Sequence, residues 1–285
     1  MSHIPAITSL YKTNTMRLSQ LCFTPHWTFA LALLAAITCR ASEPNNTLKT
    51  YTLMPPIPVP QYNAQYVEDA TGQATYTVTV NGQARSYQIY AASQGSDQPR
   101  PAVLLLHGSQ RSGVSLVEKW KAIADRYDLI LIGPHGMSKG WSMEADGSAF
   151  LNAVLHDANA HHKIDPARLY LFGHSMGANY ALYLSVLHSG VFAATALHAG
   201  QFSSPAGYAL IAQAKRKIPV GFFVGTRDFS FPLDQVWQSA QAFASQGHPT
   251  ALYVLNGHNH WYYDIAPFVN QQAWEFLSQY GLGNP

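Results

Sequence analysis

The sequence predicts a three-layer α/β/α sandwich on a mostly parallel sheet, with an antiparallel hairpin at its N-terminal end. Two alternating β-rich runs, Ala74–Val80 and Gln83–Tyr90, flank Asn81-Gly82, whose residues accept the positive φ of a tight hairpin turn. Downstream, short apolar runs alternate with longer helical stretches. Continuous apolar runs of this length suit strands that are buried on both faces of a parallel sheet.

Six strands and six helices are expected after the hairpin. The strands are Ala102–Leu106, Leu129–Gly133, Leu169–Phe172, Ala193–Leu197, Val220–Val224 and Ala251–Leu255. The helices cover about 113–126, 147–162, 176–189, 207–216, 233–246 and 266–280. Because parallel strands end at one edge of their sheet, residues that follow these strands are the first candidates for a site.

The first 41 residues have the pattern of a signal peptide. Lys12 and Arg17 precede the apolar run Phe29–Thr38, which is long enough for the hydrophobic region of an export signal and short for a membrane span. We expect cleavage after Ala41, and a buried helix or a membrane anchor is the alternative. Residues 42–64 are polar and then proline-rich, which predicts a linker or arm before a catalytic domain at 65–285.

Composition narrows the partners and the compartment. The first 41 residues hold three basic residues and no acid, so without them the formal charge falls from +2 to −1. A nearly neutral chain lacks the clustered basic surface that binding to nucleic acids requires, so we expect no nucleic-acid partner. Both cysteines, Cys22 and Cys39, lie in the targeting segment. The mature chain would then need no disulfide and have no stable membrane span, and we expect it to be secreted or periplasmic.

The strongest motif is Gly173-His-Ser175-Met-Gly177, directly after an apolar strand and before a helical stretch. A sharp strand-to-helix turn exposes the serine hydroxyl above the sheet, and the glycines permit the close approach of the backbone. The Met176 N–H, at the start of the following helix, can donate to a developing oxyanion. Ser175 is therefore the candidate nucleophile.

A serine nucleophile needs a base and an acid that orients the base. Asp228 follows the strand that ends at Val224, and two histidines, His258 and His260, follow the last strand. From the residues alone either histidine can be the base, and the alternative role of His258 is a hydrogen bond that supports the triad. Asp228 could instead pair with Arg227, and Asp264 is a weaker rival because it follows the histidines.

The second oxyanion donor is expected in His107-Gly-Ser-Gln, after the strand that ends at Leu106. Ser109 N–H is the candidate, with Gln110 as the near alternative, and His107 is expected to support the loop. Trp141 and Trp261 are candidate substrate-binding residues within an aromatic wall that would also include Phe229, Phe231, Tyr262 and Tyr263. The spacing of His156, His161 and His162 does not match a zinc pair, so we expect no metal and no cofactor.

From about residue 85 to 280 the chain resembles the secreted α/β-hydrolase esterases grouped with polyhydroxybutyrate depolymerases and feruloyl or acetylxylan esterases. The matching stretches are Val103–Gly108, Lys163–Gly177 and Gly257–Trp261. In related esterases the catalytic histidine stands just before an aromatic residue or a serine in such a segment, so the resemblance selects His260. The depolymerases often carry cysteine in the oxyanion loop, where this chain has Ser109.

The resemblance implies a serine esterase that acts through an acyl-enzyme with Ser175, His260 and Asp228 as its triad. Hydroxycinnamoyl, acetyl-sugar or polyester substrates, free or polymer-linked, are the expected partners. Two alternatives stay open: a peptidase or amidase with the same triad, and a non-catalytic binding domain on a hydrolase scaffold.

Overall fold

The computed structural model describes residues 47–56, 66–92 and 98–283. The expected targeting segment at 1–41, with both cysteines, lies outside the described residues, as do residues 42–46 and 57–64 of the expected linker. Among the helices that the structure does describe, none combines the length and the apolar character that crossing a membrane requires.

One mixed sheet organises the described chain. Its strands are β1 (Lys49–Leu53), β2 (Ala74–Val80), β3 (Gln83–Ala91), β4 (Arg100–Leu106), β5 (Ile130–Pro134), β6 (Ile164–His174), β7 (Thr195–His198), β8 (Val220–Gly225) and β9 (Thr250–Leu255). They are arranged in the order β1-β9-β8-β7-β6-β4-β5-β3-β2. In this order, the first seven strands, β1-β9-β8-β7-β6-β4-β5, are all parallel to their neighbours. The strand β3 is antiparallel to both β5 and β2.

The helices cover both faces of this sheet. They are α1 (Gly113–Tyr127), α2 (Ser148–His161), α3 (Met176–Leu187), α4 (Pro205–Leu210), α5 (Leu233–Ser245) and α6 (Ala266–Leu277), with short 3₁₀ turns at Met137–Lys139 and Ile211–Gln213. Buried residues of α2, α3 and α5 form one core with one face of the sheet, and those of α1 and α6 form a second core on the other face. The predicted three-layer sandwich is confirmed.

The strand β4 shows how the sheet divides the two cores. All seven of its residues are buried. Leu104 and Leu106 belong to the core beneath α2 and α3, whereas Val103 and Leu105 belong to the core beneath α1 and α6. Since successive side chains of a strand point to opposite faces, an uninterrupted apolar run fills both cores at once.

The predicted hairpin is present, with Val80 opposite Gln83 across the turn and Asn81 at a φ of 52°. The strand β1 was not expected, because it lies within the segment interpreted as a linker or arm. It adds to the sheet edge beside β9, and its Tyr51 ring stacks on Tyr253 with the ring centroids 5.1 Å apart. Four of its five residues are exposed. This segment therefore extends the sheet without contributing much to the core.

Candidate active site

The turn between β6 and α3 holds Ser175 in a strained conformation. Its φ of 57° and ψ of −122° lie outside the regions that L-residues favour. A Cβ on Gly177 would come within 1.9 Å of the Leu106 carbonyl oxygen, and one on Gly173 within 2.4 Å of the Gly177 oxygen. Only glycine fits at these two positions, so the motif fixes a turn that exposes the serine at the carboxyl edge of the sheet.

Two neighbouring strands deliver the other two side chains to the same edge. Asp228 follows the end of β8 at Gly225, and His260 follows the end of β9 at Leu255. The two connections are hydrogen-bonded to each other, because Arg227 N–H donates to the His258 carbonyl oxygen over 2.8 Å. The relative position of the acid and the histidine is therefore fixed by backbone as well as by side chains.

The structure brings Ser175, His260 and Asp228 together. His260 Nε2 lies 3.0 Å from Ser175 Oγ, and His260 Nδ1 lies 2.9 Å from Asp228 Oδ2. The Asp228 side chain is fully buried, and its Oδ1 accepts hydrogen bonds from the backbone N–H groups of Ser230 and Phe231. These donors compensate for the desolvation of the carboxylate and hold it in one orientation.

The rival residues are placed elsewhere. His258 is buried and contacts His198 with its Nε2, at 3.2 Å, instead of Ser175 or Asp228. Asp264 is exposed, and Asp228 bonds to His260 instead of forming the ion pair with Arg227. The histidine selected by the resemblance is thus the one that bridges the serine and the acid.

The loop after β4 lies against the serine. The Cβ position of Gly108 is 3.5 Å from Ser175 Cβ. Gln110 N–H donates to the Lys139 carbonyl oxygen over 2.9 Å, whereas Ser109 N–H donates no hydrogen bond within the described residues. Met176 begins α3, where the first backbone N–H groups have no partner inside the helix. Of the two donors considered in the loop, Ser109 is therefore the one left available.

His107 and Trp141 support this loop from behind. His107 Nδ1 lies 2.8 Å from the Gly108 oxygen, and its Nε2 accepts from Gly136 N–H over 3.0 Å. Burial lowers the His107 pKa to about 4, so the ring stays neutral at pH 7. Trp141 Nε1–H donates to the His107 carbonyl oxygen, and its ring stacks on Tyr180. Trp141, expected as a substrate contact, is thus placed where it supports the loop.

A pocket of about 730 Å³ opens over the serine. Phe229 stands at this pocket with 86% of its surface exposed. The His260 ring is stacked on Phe231, 5.4 Å between centroids and nearly parallel. The lining combines oxyanion-loop residues with aromatic rings, namely Gly108, Ser109, Gln110, Arg111, His174, Ser175, Phe229, Asn259, His260, Trp261 and Tyr263.

Sequence reasoning missed Arg111 and His174, which line this pocket, and His198, which contacts His174 from the buried side. Arg111 lies over the rings of Tyr66 and Tyr263, with its Cζ 4.8 and 5.3 Å from their centroids. His174 and His198 lie side by side at the carboxyl ends of β6 and β7. A histidine directly after the apolar run of β7 was the available signal for His198. In the ranges that the structure describes, no cluster of three or more His, Cys, Asp or Glu side chains is arranged to hold a metal ion.

The order of the strands and the turn after β6 define an α/β-hydrolase fold. A sequence profile of the dienelactone hydrolase family matches residues 135–273, which include all three bridged side chains. The chain is also 30% identical over 203 residues to the protein described as "Putative esterase NocK" from Nocardia uniformis subsp. tsuyamanensis, a match that covers 62% of this chain and 57% of that protein. The chain thus spans little more than half the length of this relative.

Solved structures share the fold at low identity. A thermostable esterase superposes with a TM-score of 0.58 at 17% identity over 74% of this chain and 63% of its own. A ferulic acid esterase gives a TM-score of 0.54 at 18% identity over 70% of this chain and 97% of its own. These likenesses establish the fold.

Proposed function

We propose that this protein is a carboxylic ester hydrolase in which Ser175, His260 and Asp228 act as a catalytic triad. The observation that carries the proposal is the position of His260, with its two ring nitrogens 3.0 Å from Ser175 Oγ and 2.9 Å from Asp228 Oδ2. A serine hydroxyl is a weak nucleophile until an adjacent base takes its proton. One imidazole within hydrogen-bond reach of both oxygens meets that requirement.

The reaction proceeds by acyl transfer. His260 Nε2 accepts the Ser175 proton as Oγ attacks the ester carbonyl carbon, and Asp228 stabilises the imidazolium that forms. Collapse of the tetrahedral intermediate breaks the bond to the alcohol oxygen, and His260 returns the proton to that leaving group. A water molecule, deprotonated by the same imidazole, then hydrolyses the acyl-enzyme and regenerates the serine.

The developing oxyanion is stabilised by two backbone donors. Met176 N–H is at the start of α3, directly after Ser175, and Ser109, in the loop after β4, lines the same pocket as Ser175. Such donors are fixed before the reaction, so they need no reorganisation when charge develops, and each is worth on the order of 100-fold in rate.

Substitution of the nucleophile tests this proposal. Ser175→Ala should reduce hydrolysis of short p-nitrophenyl esters by at least about 10³-fold, since only binding and the oxyanion donors remain. Ser245→Ala, on the surface at the end of α5, is the matched control and should keep full activity. Ester hydrolysis that stays near the wild-type rate in Ser175→Ala would refute the triad. Faster cleavage of the matched p-nitroanilides would show an amidase in place of an esterase.

The aromatic lining favours esters with an aromatic or sugar ring. The Phe229 ring is exposed at the pocket, and the largely buried Trp261 and Tyr263 line it beside the serine. Hydroxycinnamoyl and acetyl-sugar esters are therefore the first substrates to compare, with soluble polyesters as a third class. Equal kcat/KM for methyl ferulate and methyl acetate would contradict a ring-binding role for this wall.

Export is proposed on the sequence pattern alone. The apolar run Phe29–Thr38 behind Lys12 and Arg17 supports a signal peptide that is cleaved after Ala41. N-terminal sequencing of protein from the periplasm or culture medium should begin at Ser42. An unprocessed chain recovered from the cytosol would contradict export.

A further inference from the structure

We propose that His174, His198 and His258 form a hydrogen-bonded row that fixes one tautomer of His174, and that its Nε2–H then donates to an oxygen atom of the substrate. The substrate contact rests on the proposed function of the pocket, whereas the fixed tautomer does not. The ligand class that follows is an ester with a further acceptor oxygen near the ester group.

The three rings lie in one buried row. His174 Nδ1 is 3.0 Å from His198 Nδ1, and His198 Nε2 is 3.2 Å from His258 Nε2. All three side chains are at most 4% exposed. The row lies next to the catalytic site: the centroid of the His174 ring is 5.3 Å from that of the His260 ring. The mechanism proposed above uses none of the three rings.

Each ring of the row is neutral. Burial lowers the pKa of His174 and of His198 well below 6.5, and it lowers that of His258 to about 4. The rings also disfavour one another's charge. His260 opposes protonation of all three rings, and Arg111 opposes that of His174. The His198 backbone favours protonation of His174, and Asp228 favours that of His258, each less strongly than burial opposes it. A neutral imidazole has one N–H and one bare nitrogen.

Only two proton arrangements satisfy both contacts. In the first, His174 Nδ1–H donates to His198, His198 Nε2–H donates to His258, and His258 carries its proton on Nδ1. In the second, every bond is reversed: His258 Nε2–H donates to His198, and His198 Nδ1–H donates to His174. His174 then carries its own proton on Nε2. Each contact has one donor in both arrangements, so the far ends of the row decide between them.

The buried end of the row selects the second arrangement. His258 Nδ1 is shielded from solvent and has no hydrogen-bond partner. The first arrangement would place an N–H there without an acceptor, whereas the second leaves only a bare nitrogen. Orphaned buried donors are rarer than under-satisfied acceptors in folded proteins, because the lost hydrogen bond is costly. The proton of His174 is therefore on Nε2.

The open end of the row faces the pocket. His174 lines the pocket with Ser175, and its Nε2 lies 3.6 Å from the Cβ position of Gly108 in the oxyanion loop. Within the described residues, His174 Nε2 makes no hydrogen bond, and it is not shielded from solvent as His258 Nδ1 is. The Tyr262 ring, 5.0 Å away and 24° from parallel, holds the imidazole plane. A fixed donor thus faces the site beside the nucleophile.

Nitrogen NMR of the ¹⁵N-histidine-labelled full-length protein at pH 7 tests the row without substrate. We expect His174 and His258 to be protonated on Nε2 and His198 on Nδ1. The variants His174→Gln, His198→Gln and His258→Gln assign the signals. The reverse pattern, or exchange-averaged shifts for the three rings, would overturn the fixed tautomer. Because this readout needs no activity, it stands even if the protein is not an esterase.

Two substitutions at one position test the substrate contact. His174→Gln keeps a donor near the Nε2 position, whereas His174→Asn keeps one near Nδ1 and leaves the pocket without it. The probes are two pairs of isosteric esters: p-nitrophenyl methoxyacetate with butyrate, and 2-methoxyethyl acetate with butyl acetate. For each pair, kcat/KM of the oxygen-containing ester is divided by that of its alkyl isostere. Comparison with wild type cancels the intrinsic reactivities of the esters.

In His174→Asn that ratio should fall about tenfold for at least one pair, the loss of one hydrogen bond of about 1.4 kcal/mol. In His174→Gln it should stay within about threefold of wild type. Unchanged ratios in His174→Asn, or an equal fall in both variants, would overturn the contact. Fluorophosphonate labelling of Ser175 in each variant reports that the triad is intact. If wild type hydrolyses none of the four esters, the proposed function fails and the NMR result remains valid.

Discussion

His260 is constrained on four sides. Its Nδ1–H donates to Asp228 Oδ2, its Nε2 accepts from the Ser175 hydroxyl, and the rings of Phe231 and His174 lie beside its own ring. An imidazole held in this way keeps one tautomer and one orientation, so little reorganisation is needed when it takes a proton. The buried carboxylate behind it is the residue on which this orientation depends.

Asp228→Asn should therefore lower kcat by about 10³–10⁴-fold with a small change in KM, because the amide supports the wrong imidazole tautomer. Asp264→Asn is the matched control, since Asp264 is exposed four residues beyond His260. Steady-state kinetics on p-nitrophenyl acetate measures both. A fall of less than about tenfold in Asp228→Asn would mean that another group orients the base.

At the scale of secondary structure, the ends of β4, β6, β8 and β9 position the whole site. The apolar runs predicted these four strands, and the chain order of serine, acid and histidine follows from their order in the sheet. The choice between His258 and His260 did not follow from the residues, because both come within five residues of the same strand end. In the structure, the path of that connection, fixed by its hydrogen bonds to the loop after β8, separates them.

The turn between β6 and α3 is the element most sensitive to substitution. Gly177→Ala would place a methyl group 1.9 Å from the backbone oxygen of Leu106 and 2.5 Å from that of His107. Backbone cannot move aside as a side chain can, so we expect a loss of about 2–4 kcal/mol in the free energy of unfolding. Urea unfolding measures it.

Gly190→Ala is the control for that prediction. Gly190 lies on the surface in the turn after α3, and nothing comes within 4 Å of its Cβ position. Its substitution should change the free energy of unfolding by less than about 1 kcal/mol. Equal effects at positions 177 and 190 would contradict the close packing of the turn against β4.

At the scale of the whole molecule, several of the described histidines are buried. His107, His188, His248 and His258 each have a pKa lowered to about 4, with burial as the largest cause. The unfolded chain binds these protons near pH 6.5, so between pH 6.5 and 4 it holds more protons than the folded chain. The contribution of these neutral histidines to the free energy of unfolding therefore has its full value above pH 6.5, and it decreases as the pH is lowered towards 4.

His248→Gln should reduce that pH dependence. His248 is 3% exposed, and its Nε2 is buried without a partner. Removing one such group should lower the slope of unfolding free energy against pH by about 1 kcal/mol per pH unit between pH 4.5 and 6. Urea unfolding at several pH values measures the slope. In His156→Gln, the exposed control on α2, the slope should match wild type.

The parallel strands and the hairpin could be predicted from the sequence, whereas the edge strand and the histidine row could not. Apolar runs and turn residues specify the parallel strands and the hairpin, because burial on both faces leaves a strong pattern. The edge strand β1 leaves no such pattern, since most of its residues are exposed and it lies beside a proline-rich stretch. The row of His174, His198 and His258 was equally hidden, because it joins three strand ends that are far apart in sequence.

Covalent capture of the nucleophile tests the central claim most directly. The native protein is treated with a fluorophosphonate, digested, and mapped by tandem mass spectrometry. The proposed triad predicts a stoichiometric adduct on the Ser175 hydroxyl and no labelling of Ser175→Ala or of acid-unfolded protein. A native protein that stays unlabelled, or that carries its adduct on another residue, would contradict the proposal.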